Sequence, residues 1–269
     1  MAAVEGAGKP VSAEVEVRLC HGLVELNACV ALQKEVWNFS DYDLIPLRLF
    51  VVAEKIGGQV IGAFDGGELI GFAMSIPGER GGKAYLHSHM LAVLPEYRNA
   101  GLGRILKLRQ REDALSRGID LMEWTFDPLE IKNAYFNLER LGAITRRYVP
   151  NQYGLTSSRL QGGLPSDRLV AEWWLRSERV ERALRGEHLA LLPEQRVEVP
   201  AEIYDWKSAG DARAEQVQAR NREALRSAFA AGMTALGYER DAARGAFLLG
   251  HWDEGWNYGA PHTEFSEDV

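Results

Sequence analysis

The first two thirds of the chain consist of short runs in which apolar and polar residues alternate, separated by turn signals. Alternation with a period of two residues is typical of a strand that is buried on one side. Asp65-Gly66-Gly67 lies between two such runs and is typical of a tight hairpin turn. The pattern predicts strands at 15–19, 60–64, 68–74, 84–93, 119–126, 143–148 and 167–175.

Three segments between these strands show the apolar spacing of amphipathic helices. They carry Leu23, Leu26 and Val30; Ile105, Leu108 and Leu115; and the residues from Asp127-Pro128 to Leu141-Gly142. In the third segment Asp127 is the predicted helix cap and Pro128 suits the first helical turn. The predicted order is β-α-β-β-β-α-β-α-β-β, an α/β (α+β) mixture with an antiparallel start.

The last third of the chain, 177–269, has a different pattern and is predicted to be a C-terminal α/β extension. Its predicted elements are a strand at 196–199, a long amphipathic helix at 212–236 and a hairpin of 237–240 with 246–249. Helix followed by hairpin repeats the order of 129–148, so a degenerate half-repeat is one interpretation. The favoured interpretation is an extension that packs on the main domain, 15–176, or on a second subunit.

Composition restricts the class of protein. A chain of 269 residues can form one large domain or two small ones. Its 46% hydrophobic and 26% charged residues are typical of a soluble globular protein. The formal net charge of -7 argues against nucleic acid as a partner. No apolar run approaches the length of a membrane span, so we expect no membrane partner.

The N-terminal stretch and the cysteines of the chain indicate a cytoplasmic protein. Residues 1–14 lack the apolar core of a signal peptide and are predicted to be a disordered lead-in. The two cysteines, Cys20 and Cys29, are not at metal-ligand spacing and suit a reducing compartment.

The most specific chemistry follows the apolar strand 84–93. That strand stops before Pro95, a turn with a basic residue and two glycines follows, and an amphipathic helix starts at once. Glycine lets the backbone approach a ligand closely because it has no Cβ. The start of a helix offers unpaired N–H groups and a positive dipole end. The turn is therefore predicted to hold an anion, and phosphate is the favoured one.

Spacing excludes two familiar phosphate loops. A Rossmann fingerprint needs a third glycine where the chain has Leu106, and a Walker A loop needs Gly-Lys-Ser/Thr where Gly103 is followed by Arg104. The pattern Arg98-x-x-Gly101-x-Gly103 follows a strand that ends in Leu-Ala-Val. This combination resembles the pyrophosphate loop of the GNAT superfamily of N-acetyltransferases, which grip the diphosphate of coenzyme A.

The resemblance extends over roughly residues 15–176, and its most specific parts are the loop 98–103 and the segment from Ile119 to Tyr148. The stretches 127–137, 146–148 and 163–168 look like a predicted acyltransferase branch of the superfamily. The resemblance implies a GNAT-like mixed, mostly antiparallel sheet flanked by helices. It also implies acyl-CoA, as acetyl-CoA or succinyl-CoA, as the donor substrate, and no metal. The implied cofactor-binding residues are Leu91, Ala92, Val93, Arg98, Asn99, Ala100, Gly101, Leu102, Gly103, Arg104 and Asn133.

The general base has three candidates. His87 and His89 are two residues apart on one predicted strand, so their side chains share a face. His87 comes six residues before Val93, where some family members carry a glutamate base, and an imidazole can accept the ammonium proton. Glu123 on the next strand is the third candidate. A structural role is the alternative for each, and a His-x-His metal site has little support because the other histidines form no ligand pattern.

The general acid is where the chain departs from the family. Many family members carry a tyrosine four residues before the helix-ending glycine, but counting back from Gly142 gives Leu138. The candidates to replace it are Tyr135, Tyr148 and Tyr153. For the family's asparagine contact to pantetheine, Asn133 is the first candidate and Asn137 the second.

The resemblance implies an N-acyltransferase that moves an acetyl or other short acyl group, succinyl included, to the amine of a small molecule such as an amino acid. Arg146, Arg147 and Arg168 are candidates to bind an acceptor carboxylate, although adjacent arginines on a strand point to opposite faces. A non-catalytic acyl-CoA-binding or regulatory module and a protein N-acetyltransferase are the alternatives. Assembly as a homodimer is left open.

Overall fold

A computed structural model describes residues 15–38, 41, 43–154, 161–187 and 191–259. In this part of the chain two compact units are present. The first consists of the described residues up to Glu79 together with Ala84–Ile119. The second consists of Arg80–Lys83 together with the described residues from Asp120 onward. The predicted disordered lead-in, 1–14, lies outside the described residues.

Ten strands and seven α-helices are present in the described residues. The strands are β1 (Glu16–Leu19), β2 (Gln59–Asp65), β3 (Glu68–Arg80), β4 (Lys83–Val93), β5 (Leu121–Phe126), β6 (Ile144–Val149), β7 (Arg168–Trp174), β8 (Gln195–Pro200), β9 (Thr234–Arg240) and β10 (Arg244–Gly250). The helices are α1 (Gly22–Trp37), α2 (Leu47–Lys55), α3 (Leu102–Ser116), α4 (Ile131–Tyr135), α5 (Glu178–Leu184), α6 (Ile203–Ala209) and α7 (Ala212–Ala230). A π-turn, Phe136–Arg140, continues α4.

The strands of the first unit follow one another in the order β1-β2-β3-β4. The pairs β1–β2 and β2–β3 are antiparallel. Gly66 and Gly67 connect β2 to β3 with φ values of 56° and 88°. Positive φ at both central residues is what a tight type I′ hairpin requires. The Asp-Gly-Gly signal therefore placed this turn correctly.

Helices cover both faces of these strands. One core cluster, which we call the α1/α2 cluster, includes Cys29 of α1, Phe50 of α2 and Phe72 of β3. The other, the α3 cluster, includes Leu102 and Leu106 of α3 together with buried residues of β2 and β3. Burying apolar side chains on both faces is the main stabilising term for such a layered unit.

The second unit has the strand order β5-β7-β6-β9-β10-β8, and every neighbouring pair is antiparallel. Thr145 of β6 is opposite Ala235 of β9, so the strands of the C-terminal region continue the sheet that contains β5. The predicted boundary between 176 and 177 lies inside this unit, between β7 and α5. The division into a 15–176 domain and a 177–269 extension stays a prediction.

The predicted fold class, α/β with mostly antiparallel pairing and flanking helices, is confirmed, whereas several helix bounds were wrong. The helices α2, α5 and α6 were not predicted, because seven to nine residues are too few to show a clear helical period. Helix α4 begins at Ile131 and not at Asp127, whose carboxylate accepts a hydrogen bond from the amide of Leu129 at 2.8 Å. Helix α7 ends at Ala230 instead of at 236. Among the described residues, no helix combines the length and the hydropathy of a membrane span.

Candidate active site

The turn between β4 and α3 has the backbone that its glycines predict. A 3₁₀ turn at Pro95–Tyr97 follows β4, and Asn99 and Gly101 then have φ values of 63° and 83°. Gly101 is the residue that caps α3, which begins at Leu102. Residues with a Cβ rarely adopt this φ, so the position favours glycine.

Space stays open at the start of α3. A Cβ added at Gly101 would meet no described atom within 4 Å, and one added at Gly103 would lie 3.6 Å from the side chain of Leu91. The amide of Arg104 bonds to the carbonyl of Gly101 at 3.0 Å, so the amides of Leu102 and Gly103 precede the helical ladder. These amides and the positive end of the helix dipole together fit a phosphate group.

Two arginines bring positive charge to this turn. The Nε of the exposed Arg98 donates to the carbonyl of Val93 at 3.3 Å, which keeps the side chain along the end of β4. Arg104 lies in the first turn of α3 and is half-buried. Charge-assisted contacts from such residues strengthen the hold on a phosphate. The predicted loop residues therefore fit the diphosphate of coenzyme A.

Strand β4 changes the alternation of its side chains near its middle. The Oγ of Ser88 contacts the Nζ of Lys107 at 2.7 Å and the Oε1 of Gln110 at 3.1 Å, both on α3. Leu91 and Val93 pack against the α3 cluster as well. Residues an odd number apart point to opposite faces of a regular strand. The regular alternation is therefore broken by one residue between Ser88 and Leu91.

The two candidate histidines lie close together, as predicted. The ring centroids of His87 and His89 are 6.1 Å apart. Because Ser88 between them faces α3, alternation directs both imidazoles to the opposite face, where Met90 packs against the α1/α2 cluster. Burial lowers the pKa of His89, which favours the neutral imidazole that can accept a proton.

Glu123 lies in a buried cluster of charges in the second unit, which we call the ionic cluster. Its members are Arg80, Glu123, Arg146, Arg147 and Glu172. Arg80 Nη1 lies 2.6 Å from Glu123 Oε1, and Arg147 donates to the same oxygen. Burial raises the pKa of Glu123, although the positive charges of Arg147 and Arg80 act to lower it. These contacts favour a structural role, and the catalytic role of Glu123 stays a prediction.

The expectation that Arg146 and Arg147 point to opposite faces is wrong. Both contact Glu172, at 2.9 Å from Arg146 Nη2 and 3.2 Å from Arg147 Nε. The register of β6 on β7 shifts between Thr145 and Tyr148, which adds one residue to β6. Such a bulge turns successive side chains toward the same face. Burial acts to raise the pKa of Glu172, but the positive charges of Arg147 and Arg146 outweigh this effect, so the pKa is lowered.

The candidate acid Tyr135 lies in α4, where the guanidinium carbon of Arg240 is 4.1 Å from its ring centroid. Leu138, in the position of the family's tyrosine, is buried in the π-turn. A π-turn holds more residues per turn than an α-helix, so counting four residues back from Gly142 does not give the same side-chain direction. The acid role of Tyr135 stays a prediction.

The two asparagine candidates have different surroundings. Asn133 is exposed on α4. Asn137 is buried, and its Oδ1 accepts a hydrogen bond from Trp124 Nε1 at 3.2 Å. An exposed amide is available to a ligand, whereas the buried one is used in the core. This contrast favours Asn133 over Asn137 as the pantetheine contact, which stays a prediction.

The other two tyrosines also differ. Tyr148 donates to the fully buried Asp167, which Arg222 also contacts at 2.8 Å, and burial raises the pKa of Tyr148. Tyr153 is 47% exposed, and its hydroxyl lies 3.0 Å from Thr125 Oγ1 at the end of β5. Tyr153 is therefore the more accessible hydroxyl of the two.

The predicted residues are divided between the two units. The turn, the end of β4 and both histidines belong to the first unit, whereas Glu123, Asn133 and Tyr135 belong to the second. The contact of Ser88 with Lys107 was not predicted, because a lysine in an amphipathic helix normally lies on the solvated face. Within the described ranges, no group of three or more metal-ligating side chains is present.

A family model matches part of the chain. Residues 25–142, less than half of the chain, match the model of the acetyltransferase (GNAT) family. This range contains the glycine turn, both histidines and the buried Lys107. No curated protein sequence matches the chain.

Solved structures resemble the fold at low sequence identity. An N-acetyltransferase from Staphylococcus aureus Mu50 is 14% identical with a TM-score of 0.50, covering 61% of this chain and 100% of that one. The ribosomal-protein-S18-alanine N-acetyltransferase from Escherichia coli is 15% identical with a TM-score of 0.49, covering 66% and 99%. A GNAT family acetyltransferase from Elizabethkingia anophelis with acetyl-CoA bound is 11% identical with a TM-score of 0.46, covering 61% and 99%.

Proposed function

We propose that the protein is an acyl-CoA-dependent N-acyltransferase, because residues 25–142 match the model of the acetyltransferase (GNAT) family. It moves an acetyl or other short acyl group, succinyl included, to the amine of a small molecule such as an amino acid. The observation that carries this proposal is the open turn at the start of α3, directly after the strand with His87 and His89.

The turn supplies the binding site for the donor. The amides of Leu102 and Gly103 bind the diphosphate, and Arg98 and Arg104 add charge-assisted contacts. The backbone of Leu91, Ala92 and Val93 at the end of β4 binds the pantetheine chain. Coenzyme A supplies the acyl group as a thioester, which is activated toward amines.

The histidine pair supplies the proton acceptor. The amine attacks the thioester carbonyl, so that a C–N bond forms and the C–S bond breaks. The ammonium proton goes to the imidazole of His87 or His89, directly or through water. The departing thiolate takes a proton from water or from a tyrosine, and a free-thiol pKa of about 8.5 makes it a tolerable leaving group.

The ionic cluster restricts which arginines are available to bind the acceptor. Arg146 and Arg147 bind the carboxylates of Glu172 and Glu123, so they are not offered to an acceptor carboxylate. Arg168 donates to Gln161 Oε1 at 3.2 Å and to the carbonyl of Asp167 at 2.8 Å. The family match and the histidines therefore support an amine as the acceptor, and these arginines do not.

A non-catalytic acyl-CoA-binding module is the second candidate function. Leu138, buried where many family members have a tyrosine, and Tyr135, packed under Arg240, favour it. In that case the turn would bind the donor, and no acyl group would be transferred.

One experiment separates these functions. Acetyl-CoA and succinyl-CoA are offered with amino acids of both hands, other small amines and peptides, and release of free thiol is followed. Binding of coenzyme A is measured in parallel by calorimetry. Transfer to a small amine that is lost in the His87→Ala/His89→Ala double variant supports the proposal. Binding without transfer supports the second candidate, transfer to peptides alone would indicate a protein acetyltransferase, and absence of binding would overturn both CoA functions.

A further inference from the structure

A buried lysine connects α3 to the strand that carries the histidines. Lys107 is 4% exposed, and its Nζ donates to the Oγ of Ser88 at 2.7 Å. Ser88 is also buried, and its hydroxyl donates to the Oε1 of Gln110 at 3.1 Å. A directional chain of polar contacts therefore runs from α3 to β4 and back to α3.

An apolar side chain would be the less costly choice at this position. Removing an amine from water costs free energy that one or two hydrogen bonds recover only in part. Leu102 and Leu106, the buried leucines of α3 beside it, are packed in the ordinary apolar way. A buried polar contact of this kind is best attested where it fixes one register among several.

The register of β4 is the property at stake here. The alternation breaks between Ser88 and Leu91, so the residues on both sides of the break face α3. If the break moved by one or two residues toward the start of the strand, His89 would turn toward α3. The hydroxyl of Ser88 is a buried polar group that holds this part of the strand to the helix.

We propose that Lys107 is a positioning residue for acyl transfer: through Ser88 it fixes the segment of β4 that bears His87 and His89 onto α3. The first turn of that helix holds the donor diphosphate, so one contact sets the histidines relative to the bound donor. This inference rests on the proposed function. Lys107 itself touches neither substrate.

The same face of α3 provides a matched control. Ser75 of β3 is fully buried, and its hydroxyl donates to the Oε1 of Gln59 at 2.7 Å. Gln59 in turn donates to the carbonyl of Gln110 at 2.9 Å. Ser75→Ala therefore removes a buried hydroxyl whose bond runs to β2, and leaves in place the bond between α3 and the strand that carries the histidines.

The test compares Lys107→Met, Ser88→Ala and their double variant with Ser75→Ala. We expect the first two to shift the imidazole NMR resonances of His87 and His89. They should lower kcat about ten-fold, as small misplacements of catalytic groups do, with KM for acyl-CoA nearly unchanged. The double variant should lose little more than either single variant, because both remove the same link. Ser75→Ala should lower Tm and leave the imidazole resonances and kcat unchanged.

Ser88→Thr keeps the hydroxyl and should keep the wild-type resonances. It therefore separates the loss of the hydroxyl in Ser88→Ala from a general disturbance caused by changing this buried position. Imidazole resonances that stay in place in both Ser88→Ala and Lys107→Met would overturn the inference. Absence of CoA binding or of transfer by the wild-type protein would instead overturn the proposed function, and the resonances would still report whether Lys107 positions the strand.

Discussion

The glycine turn of the first unit and the ionic cluster of the second use arginine in opposite ways. At the turn, α3 has no side-chain cap, and Arg98 is exposed near two glycines whose Cβ positions are open. In the ionic cluster, the arginines bind buried carboxylates of the same chain. An arginine therefore indicates a ligand only where the protein itself does not supply the anion.

Breaking the ionic cluster should have the largest effect on stability. Glu172→Leu removes a carboxylate that is 1% exposed in the native protein, so that Arg146 loses the carboxylate it binds, whereas Arg147 keeps Glu123. Removing one partner of a buried ion pair typically costs about 3–5 kcal/mol, because the remaining charge is not neutralised. We expect a loss of this size in the free energy of unfolding, measured by urea denaturation.

The control for this variant is Glu187→Gln. Glu187 pairs with Arg182 and Arg185 at the surface, where ion pairs contribute little. If Glu172→Leu lowered the free energy of unfolding as little as the control does, the arginines of the ionic cluster would not need a carboxylate from the protein itself. They would then not differ in this respect from the arginines of the turn.

Filling the turn should have the next largest effect, on binding and not on stability. Gly103→Val places a branched side chain where a Cβ meets only ordinary contact with Leu91, at 3.6 Å. The native fold has room for the added Cβ, whereas the side chain would occupy space that the diphosphate needs. We expect CoA affinity, measured by calorimetry, to fall at least about ten-fold, which corresponds to about 1.4 kcal/mol.

Gly118→Val is the matched variant at the other end of α3. Gly118 also has open space around its Cβ position, with a φ of 72°. It should lose stability through backbone strain and keep its CoA affinity. Equal affinity losses in the two variants would mean that the turn is not the binding site.

His89 should make stability depend on pH. Burial lowers its pKa in the folded protein, so the unfolded chain takes up the proton first as pH falls. Its contribution is therefore complete above the unfolded pKa of about 6.5 and declines below it, by at most about 1.4 kcal/mol per pH unit. The free energy of unfolding of His89→Asn should fall less steeply over this range than that of the wild type. The exposed His251, changed to Asn, serves as the control; identical slopes for all three proteins would contradict the buried state of His89.

Local signals in the sequence predicted the parts of the molecule in which one short segment determines its own backbone. The hairpin at Gly66-Gly67 and the turn at Gly101 are such parts, because positive φ restricts the choice of residue. The buried face of α3 was predicted wrongly. Ile105 is 40% exposed, whereas Lys107 and Gln110 are buried. The spacing of apolar residues cannot reveal a buried helix face whose polar residues form hydrogen bonds with a neighbouring strand.

The ionic cluster shows the same limit at longer range. Arg146 and Arg147 share a face because β6 gains one residue against β7, and nothing in the sequence of β6 alone indicates that shift. The carboxylates that neutralise them come from β5 and β7. The candidate site was therefore predictable at the turn, where one segment supplies the geometry. It was not predictable where several strands together decide whether a charge is available.

Removing a single exposed arginine at the turn should have the smallest effect of these changes. Arg98→Ala takes away one charge-assisted contact but leaves the amides and the helix dipole, so we expect CoA affinity to fall about five-fold, or about 1 kcal/mol. Because the side chain is exposed, the loss should shrink as salt screens it, measured by calorimetry at about 0.05 M and about 0.5 M salt. Arg109→Ala, which lies on α3 and is paired with Glu112, should change affinity little at either concentration. An Arg98 effect that does not depend on salt would indicate that Arg98 acts through its bond to the carbonyl of Val93, as an internal partner like the arginines of the ionic cluster.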